Sequence, residues 1–182
     1  NLENAAVTDL SPLRGLPLTH LNAWHTQLKD VKSLAGMPLT SLILGRTAVN
    51  DLSPLKGMPL EVLNLEYCRQ IEDLKPLRGM PLKHLTLNGC KTSDLSPLRG
   101  MQLTGLSLYW CENIKDLAPL AGMKLSGLTL YGIAVKDLSP LKGMPITGME
   151  LVRCPDVKDL SPLEGMKLEQ LNFTPAYITN GI

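Results

Sequence analysis

Aromatic residues are scarce in this chain: two Trp, four Tyr and one Phe among 182 residues, too few to build an ordinary mixed core. Charge of one sign is missing as well. Eighteen Lys and Arg face seventeen Asp and Glu, a formal net charge of +1, which leaves no global field to draw nucleic acid or an anionic membrane surface. No apolar run approaches the roughly 18 residues that a bilayer span needs, and no charged start followed by an apolar stretch marks a signal peptide. There is no C-x-x-C pair, no glycine-framed nucleophile, no phosphate loop and no kinase signature. These absences argue against membrane insertion, nucleic-acid binding and catalysis, and no metal or cofactor is expected.

What the chain has in excess is Leu, 38 residues of it, and the Leu recur. Asp9, Asp30, Asp51, Asp73, Asp94, Asp116, Asp137 and Asp159 stand 21 or 22 residues apart, a solenoid period. One unit, from Leu60, reads LEVLNLEYCRQIEDLKPLRGMP. Its Leu spacing suits a short strand. Leu82, Leu85 and Leu87 turn inward while His84 and Thr86 face out. With Pro76 and Gly79 only three residues apart, no crossover α-helix fits, and the return path is expected to be a 3₁₀ or irregular turn opened by Pro and stopped by Gly.

The L-x-x-L-x-L run followed by D-L-S-P-L-x-G-M-P-L resembles the short leucine-rich repeats of bacterial internalin-like proteins, over essentially the whole chain. The resemblance implies an α/β-class leucine-rich-repeat solenoid: a parallel sheet on the concave face, 3₁₀ or irregular turns on the convex face, and about eight repeats in a single domain over residues 1–182. Such repeats also occur beside Ser/Thr kinase domains, which the resemblance implies only for a parent chain. Asn1 and Leu2 align with mid-strand residues Asn64 and Leu65, and Phe173 and Asn180 replace a strand Leu and the repeated Asp. A segment of a longer protein is therefore expected. The residues do not state a compartment; a cytoplasmic address is preferred to an exported one.

Most regular columns have structural explanations. Cys68, Cys90, Cys111 and Cys154 share an inward position with Thr26, Thr47, Ile133 and Ala176, as small buried groups do. Met residues follow the convex Gly and fill the corner where the chain re-enters the sheet. Each Asp is expected to accept backbone N–H groups of its own turn. The basic column Arg14, Lys56, Arg78, Arg99 and Lys142 runs close to those Asp residues and reads as a solvated edge of mixed sign.

Partner information is sought where the repeat varies. The pair after the third strand Leu reads Trp24-His25, Gly45-Arg46, Glu66-Tyr67, Asn88-Gly89, Tyr109-Trp110, Tyr131-Gly132, Val152-Arg153 and Thr174-Pro175. Five of the seven aromatics lie there, with two Arg, the residue types that dominate interfaces. Gly105, Gly127 and Gly148 fill one outward strand column on three consecutive rungs, and strand glycines often mark close backbone approach. The partner-binding candidates are therefore Trp24, His25, Arg46, Glu66, Tyr67, Gly105, Tyr109, Trp110, Gly127, Tyr131, Gly148 and Arg153. They are expected to take a protein or peptide ligand on the concave face, centred on the fifth to seventh rungs. The alternatives are a regulatory arm of a larger signalling enzyme and a passive spacer; oligomeric state is left open.

Overall fold

In the computed structural model, which describes residues 1–181, every repeat contributes one short strand to one parallel sheet. The strands are β1 (His20–Asn22), β2 (Ser41–Ile43), β3 (Val62–Asn64), β4 (His84–Thr86), β5 (Gly105–Ser107), β6 (Gly127–Tyr131), β7 (Gly148–Val152) and β8 (Gln170–Phe173). They pair strictly in chain order. The register places equivalent repeat positions opposite one another: Leu63 pairs with Leu85, and Leu106 with Leu128. Each coil therefore continues the columns of its neighbour, because a one-residue slip would turn the buried Leu set outward. Residues ahead of β1 extend this order: the amides of Leu2 and Asn4 donate to the carbonyls of Asn22 and Trp24.

The return path is a three-residue 3₁₀ turn in each coil, from Ser11–Leu13 to Ser161–Leu163, and no α-helix occurs among the described residues. Pro in the first turn supplies the right φ and lacks only an N–H that the turn leaves unpaired anyway. Asp sets where that turn begins. The Oδ1 of all eight accepts the amide two residues on, at 2.7–3.1 Å. Where that residue is Ser, its hydroxyl also donates to Oδ2, as Ser53 does to Asp51 at 2.8 Å. These carboxylates, exposed except for the half-buried Asp159, serve their own turns, and no cluster of His, Cys, Asp or Glu among the described residues is arranged for a metal ion.

Between sheet and turns lies one continuous core of Leu, with Val, Ile, Met and Cys filling fixed columns. Met37, Met58, Met80, Met101, Met123 and Met144 are each 3–5% exposed. All four Cys are buried and unbridged. Their thiols donate to a strand-end carbonyl of the preceding coil: Cys68 to Leu44, Cys90 to Leu65, Cys111 to Leu87 and Cys154 to Leu130, at 3.0–3.2 Å. This explains why Cys suits the position, since a purely apolar side chain would leave that carbonyl without the bond. Burial raises all four thiol pKa values, that of Cys111 to about 11, so the reactive thiolate is disfavoured.

The last coil departs from the pattern in one respect that the repeat alignment did not anticipate. Ala176, aligned with the inward Cys column, is exposed. Pro175 precedes it, and its ring confines φ to about −65°, so the chain makes a 3₁₀ turn over Pro175–Tyr177 instead of the rim turn of the other coils. Asn180 still occupies the Asp place: its Nδ2 donates to Asp159 Oδ1 at 2.9 Å.

Candidate functional site

Each coil before the last turns twice through the left-handed backbone region. On the convex side the residue is always glycine: Gly15, Gly36 and their six counterparts have φ of +72° to +77°. On the rim where the strands end, it is the second residue of the variable pair. There the occupants are His25 (+54°), Arg46 (+58°), Tyr67 (+54°), Gly89 (+67°), Trp110 (+55°), Gly132 (+63°) and Arg153 (+53°), with Asn4 (+59°) ahead of them. A Cβ in this region costs roughly 1–2 kcal/mol. The backbone is held there because the ladder continues past the strands: the amides of Arg46, Tyr67 and Trp110 donate to the carbonyls of Glu66, Asn88 and Tyr131 at 2.6–2.7 Å. Gly89 and Gly132 make the same turn with the same bond. The turn itself therefore has no need of Trp, Tyr, Arg or His.

The large side chains gather into two groups. In the first, the Arg46 guanidinium lies 6.0 Å from the Trp24 ring centre and 5.2 Å from that of Tyr67, and Arg69 lies 5.9 Å from Tyr67. His25 hydrogen-bonds through Nδ1 to Asn4 Oδ1 at 2.9 Å. In the second, Tyr109 stacks on Tyr131 at 4.2 Å between ring centres, Trp110 meets both edge-on at 5.9 and 5.3 Å, and Arg153 lies 5.9 Å from both Trp110 and Tyr131. Desolvation raises the Tyr131 phenol pKa against the opposing pull of Arg153.

The rim rings lean toward the next coil and lie over its glycines. A Cβ on Gly132 would stand 2.5 Å from the Trp110 ring, and one on Gly89 would stand 2.6 Å from that of Tyr67; Trp24 covers Gly45 in the same way. Glycine in the variable pair is thus the complement of a large neighbour. Glu66 precedes Tyr67 on the coil of the first group, its carbonyl accepting from the Arg46 amide and its own amide donating to Asn64 Oδ1 at 2.8 Å.

On the concave face, residues of β4–β8 line a shallow groove of about 320 Å³. Gly127 and Gly148 form an open floor, with nothing within 4 Å of an added Cβ. Gly105 does not extend that floor. His84 Nδ1 would lie 2.7 Å from a Cβ there, so the ring of the preceding coil covers this rung. The groove is bordered along the strands by Ser107, Thr129 and Glu150, beyond which Tyr109, Tyr131 and Val152 take their places in the variable pair.

Two contributors escaped the sequence reading. The sequence places His84 only as an outward strand residue, although its position beside Gly105 in one column, a large residue followed by none, is the same pairing seen on the rim. Arg69 is the first of two residues between Cys68 and Ile71, where a 21-residue coil has only one, as Ala48 between Thr47 and Val49; Glu112 and Pro155 hold the same place in the other coils of that wider kind.

No protein-family profile matches the chain, and no curated protein matches it by sequence. Solved structures do. An internalin (inlF) from Listeria monocytogenes superimposes with a TM-score of 0.92 at 29% identity, over all of this chain and 55% of that one. Internalin C2 (inlC2) from the same organism gives 0.85 at 27% identity, over 94% of this chain and 78% of that one. The chain thus spans about half the length of the first of these and most of the second.

Proposed function

Because this chain carries an internalin-like leucine-rich-repeat solenoid, we propose that it is a non-catalytic recognition module whose concave face over β5–β7 takes an extended segment of a protein partner. One observation carries the reading: bulky side chains occupy left-handed positions on the rim, where Gly89 and Gly132 make the same turn without them. Such strain persists where the side chain has a use. The three packed rings of Tyr109, Trp110 and Tyr131, with Arg153 beside them, supply a rigid amphipathic anchor of the kind that dominates interface energetics. The floor at Gly127 and Gly148 lets a partner backbone approach the sheet. Recognition by shape and side-chain contact needs no reacting group.

A random-peptide phage library panned on the chain supplies the ligand for the test. Selected peptides should lose at least tenfold in affinity on Trp110→Ala, which removes the anchor, and on Gly127→Leu, which fills the floor. Peptides that bind both variants as tightly as the parent, and are lost on Trp24→Ala, place recognition at the other end and overturn the proposal.

A further inference from the structure

The first rim group has a chemistry of its own. Side chains of His25, Arg46, Tyr67 and Arg69, with Thr47 at the base, surround a recess of about 470 Å³ on the rim of the first three coils. No carboxylate lines it. Arg46 and Arg69 form no ion pair; the one ion pair among the described residues is Lys83–Glu61, elsewhere on the surface. Two guanidiniums lie within 6 Å of one Tyr ring with no acid lining the recess between them, a local positive site; the adjoining recess along the rim holds one acid, Glu112, which shares it with Arg69 and forms no ion pair with it. His25, Arg46 and Tyr67 are also three consecutive rim residues in the left-handed region.

We propose that this recess is an anion subsite that receives an acidic side chain, Asp or Glu, of a peptide partner. The guanidiniums of Arg46 and Arg69 donate their N–H groups to the carboxylate oxygens, as planar forks suited to that group. The Tyr67 ring, contacted by both cations, holds them in place. The aromatic group over the fifth to seventh coils contains one cation and three rings; this recess contains two Arg, one His and one Tyr ring. The inference concerns a different part of the rim and stands whether or not the β5–β7 groove binds a peptide.

The test uses the 182-residue chain labelled with ¹⁵N-arginine and titrated with acetylated hexaglutamate, followed by the Arg Nε–Hε resonances. Hexaglutamine, inorganic phosphate and hexathymidylate serve as comparison ligands. The Arg46 and Arg69 signals should shift saturably with hexaglutamate, while those of Arg78 and Arg99 on the convex side stay in place. Arg46→Gly and Arg69→Ala should each weaken binding about tenfold, and Trp110→Ala should leave it unchanged. Arg46→Gly retains a residue suited to φ +58°, so its loss of binding reports the missing guanidinium and not a broken turn. Parallel unsaturable shifts of all Arg signals, retained affinity in Arg46→Gly, or tighter binding of phosphate or hexathymidylate than of hexaglutamate overturns the proposal.

Discussion

The two edges of each coil solve the same geometric problem with different residues. Both need a left-handed backbone. The convex edge uses glycine in all eight coils, while the concave rim uses glycine twice and otherwise Asn, His, Arg, Tyr or Trp. The convex turn is secured by an Asp that binds its own backbone, and its side chains have no further task. At the rim the inter-coil ladder secures the backbone, so the side chain is free to be chosen for what it does beyond the turn. The convex column is thus an internal control for the rim: it shows what this chain places at positive φ when only folding is at stake.

The largest test of that comparison is Gly132→Val. A β-branched residue there meets both the left-handed strain and the Trp110 ring, and urea unfolding should show a loss of about 2–4 kcal/mol. On the convex edge, Gly100 has φ +73° and open space around an added Cβ. Gly100→Ala should therefore cost strain alone, about 1–2 kcal/mol. An unaffected Gly100→Ala would mean that positive φ is cheap in this fold, and the rim occupants would lose their significance. The reverse change, His25→Gly, relieves strain at an exposed residue and should leave the chain as stable or up to about 1 kcal/mol more so. A clear destabilisation would assign His25 a structural role.

Acid separates the two edges by a smaller effect. Asp9, Asp51, Asp94, Asp137 and Asp159 have pKa values lowered from the ordinary 3.8 by hydrogen bonds from the amide and hydroxyl of the Ser two residues on. A carboxylate whose folded pKa lies below its unfolded value binds protons more readily when unfolded, so its stabilisation is complete above about pH 3.8 and lost as pH falls through the lower folded values. Ser96→Ala removes the hydroxyl bond to Asp94, 2.9 Å long. Its acid-unfolding midpoint should move slightly upward, and an unchanged midpoint would discount the hydroxyl.

The fold was legible because it is written many times. Each Leu, Asp and Gly column repeats at one period, and parallel in-register stacking is the one arrangement that buries every Leu set at once. The site was legible in composition but not in grouping. The pair column named Trp24, Arg46, Tyr67, Trp110 and Arg153, yet a column read down the chain does not reveal that Trp24, Tyr67 and Trp110 lean over the following coil, with Gly45, Gly89 and Gly132 as their complements. The same lean, by His84 over Gly105, shortened the expected three-rung floor to two. Pro175 carried its own warning: a residue confined to negative φ stands where the eight earlier rim positions use positive φ.

Strict neighbour-to-neighbour pairing, β1 to β8 in order, also decides how the molecule bears a load. Interior coils are held on two faces and the outermost on one. Tension applied between the two ends should therefore peel strands from an extremity inward, each detached repeat adding about 70 Å of extended polypeptide. A force–extension trace should be a sawtooth of nearly equal spacing, with the spring shortening by one coil at each drop.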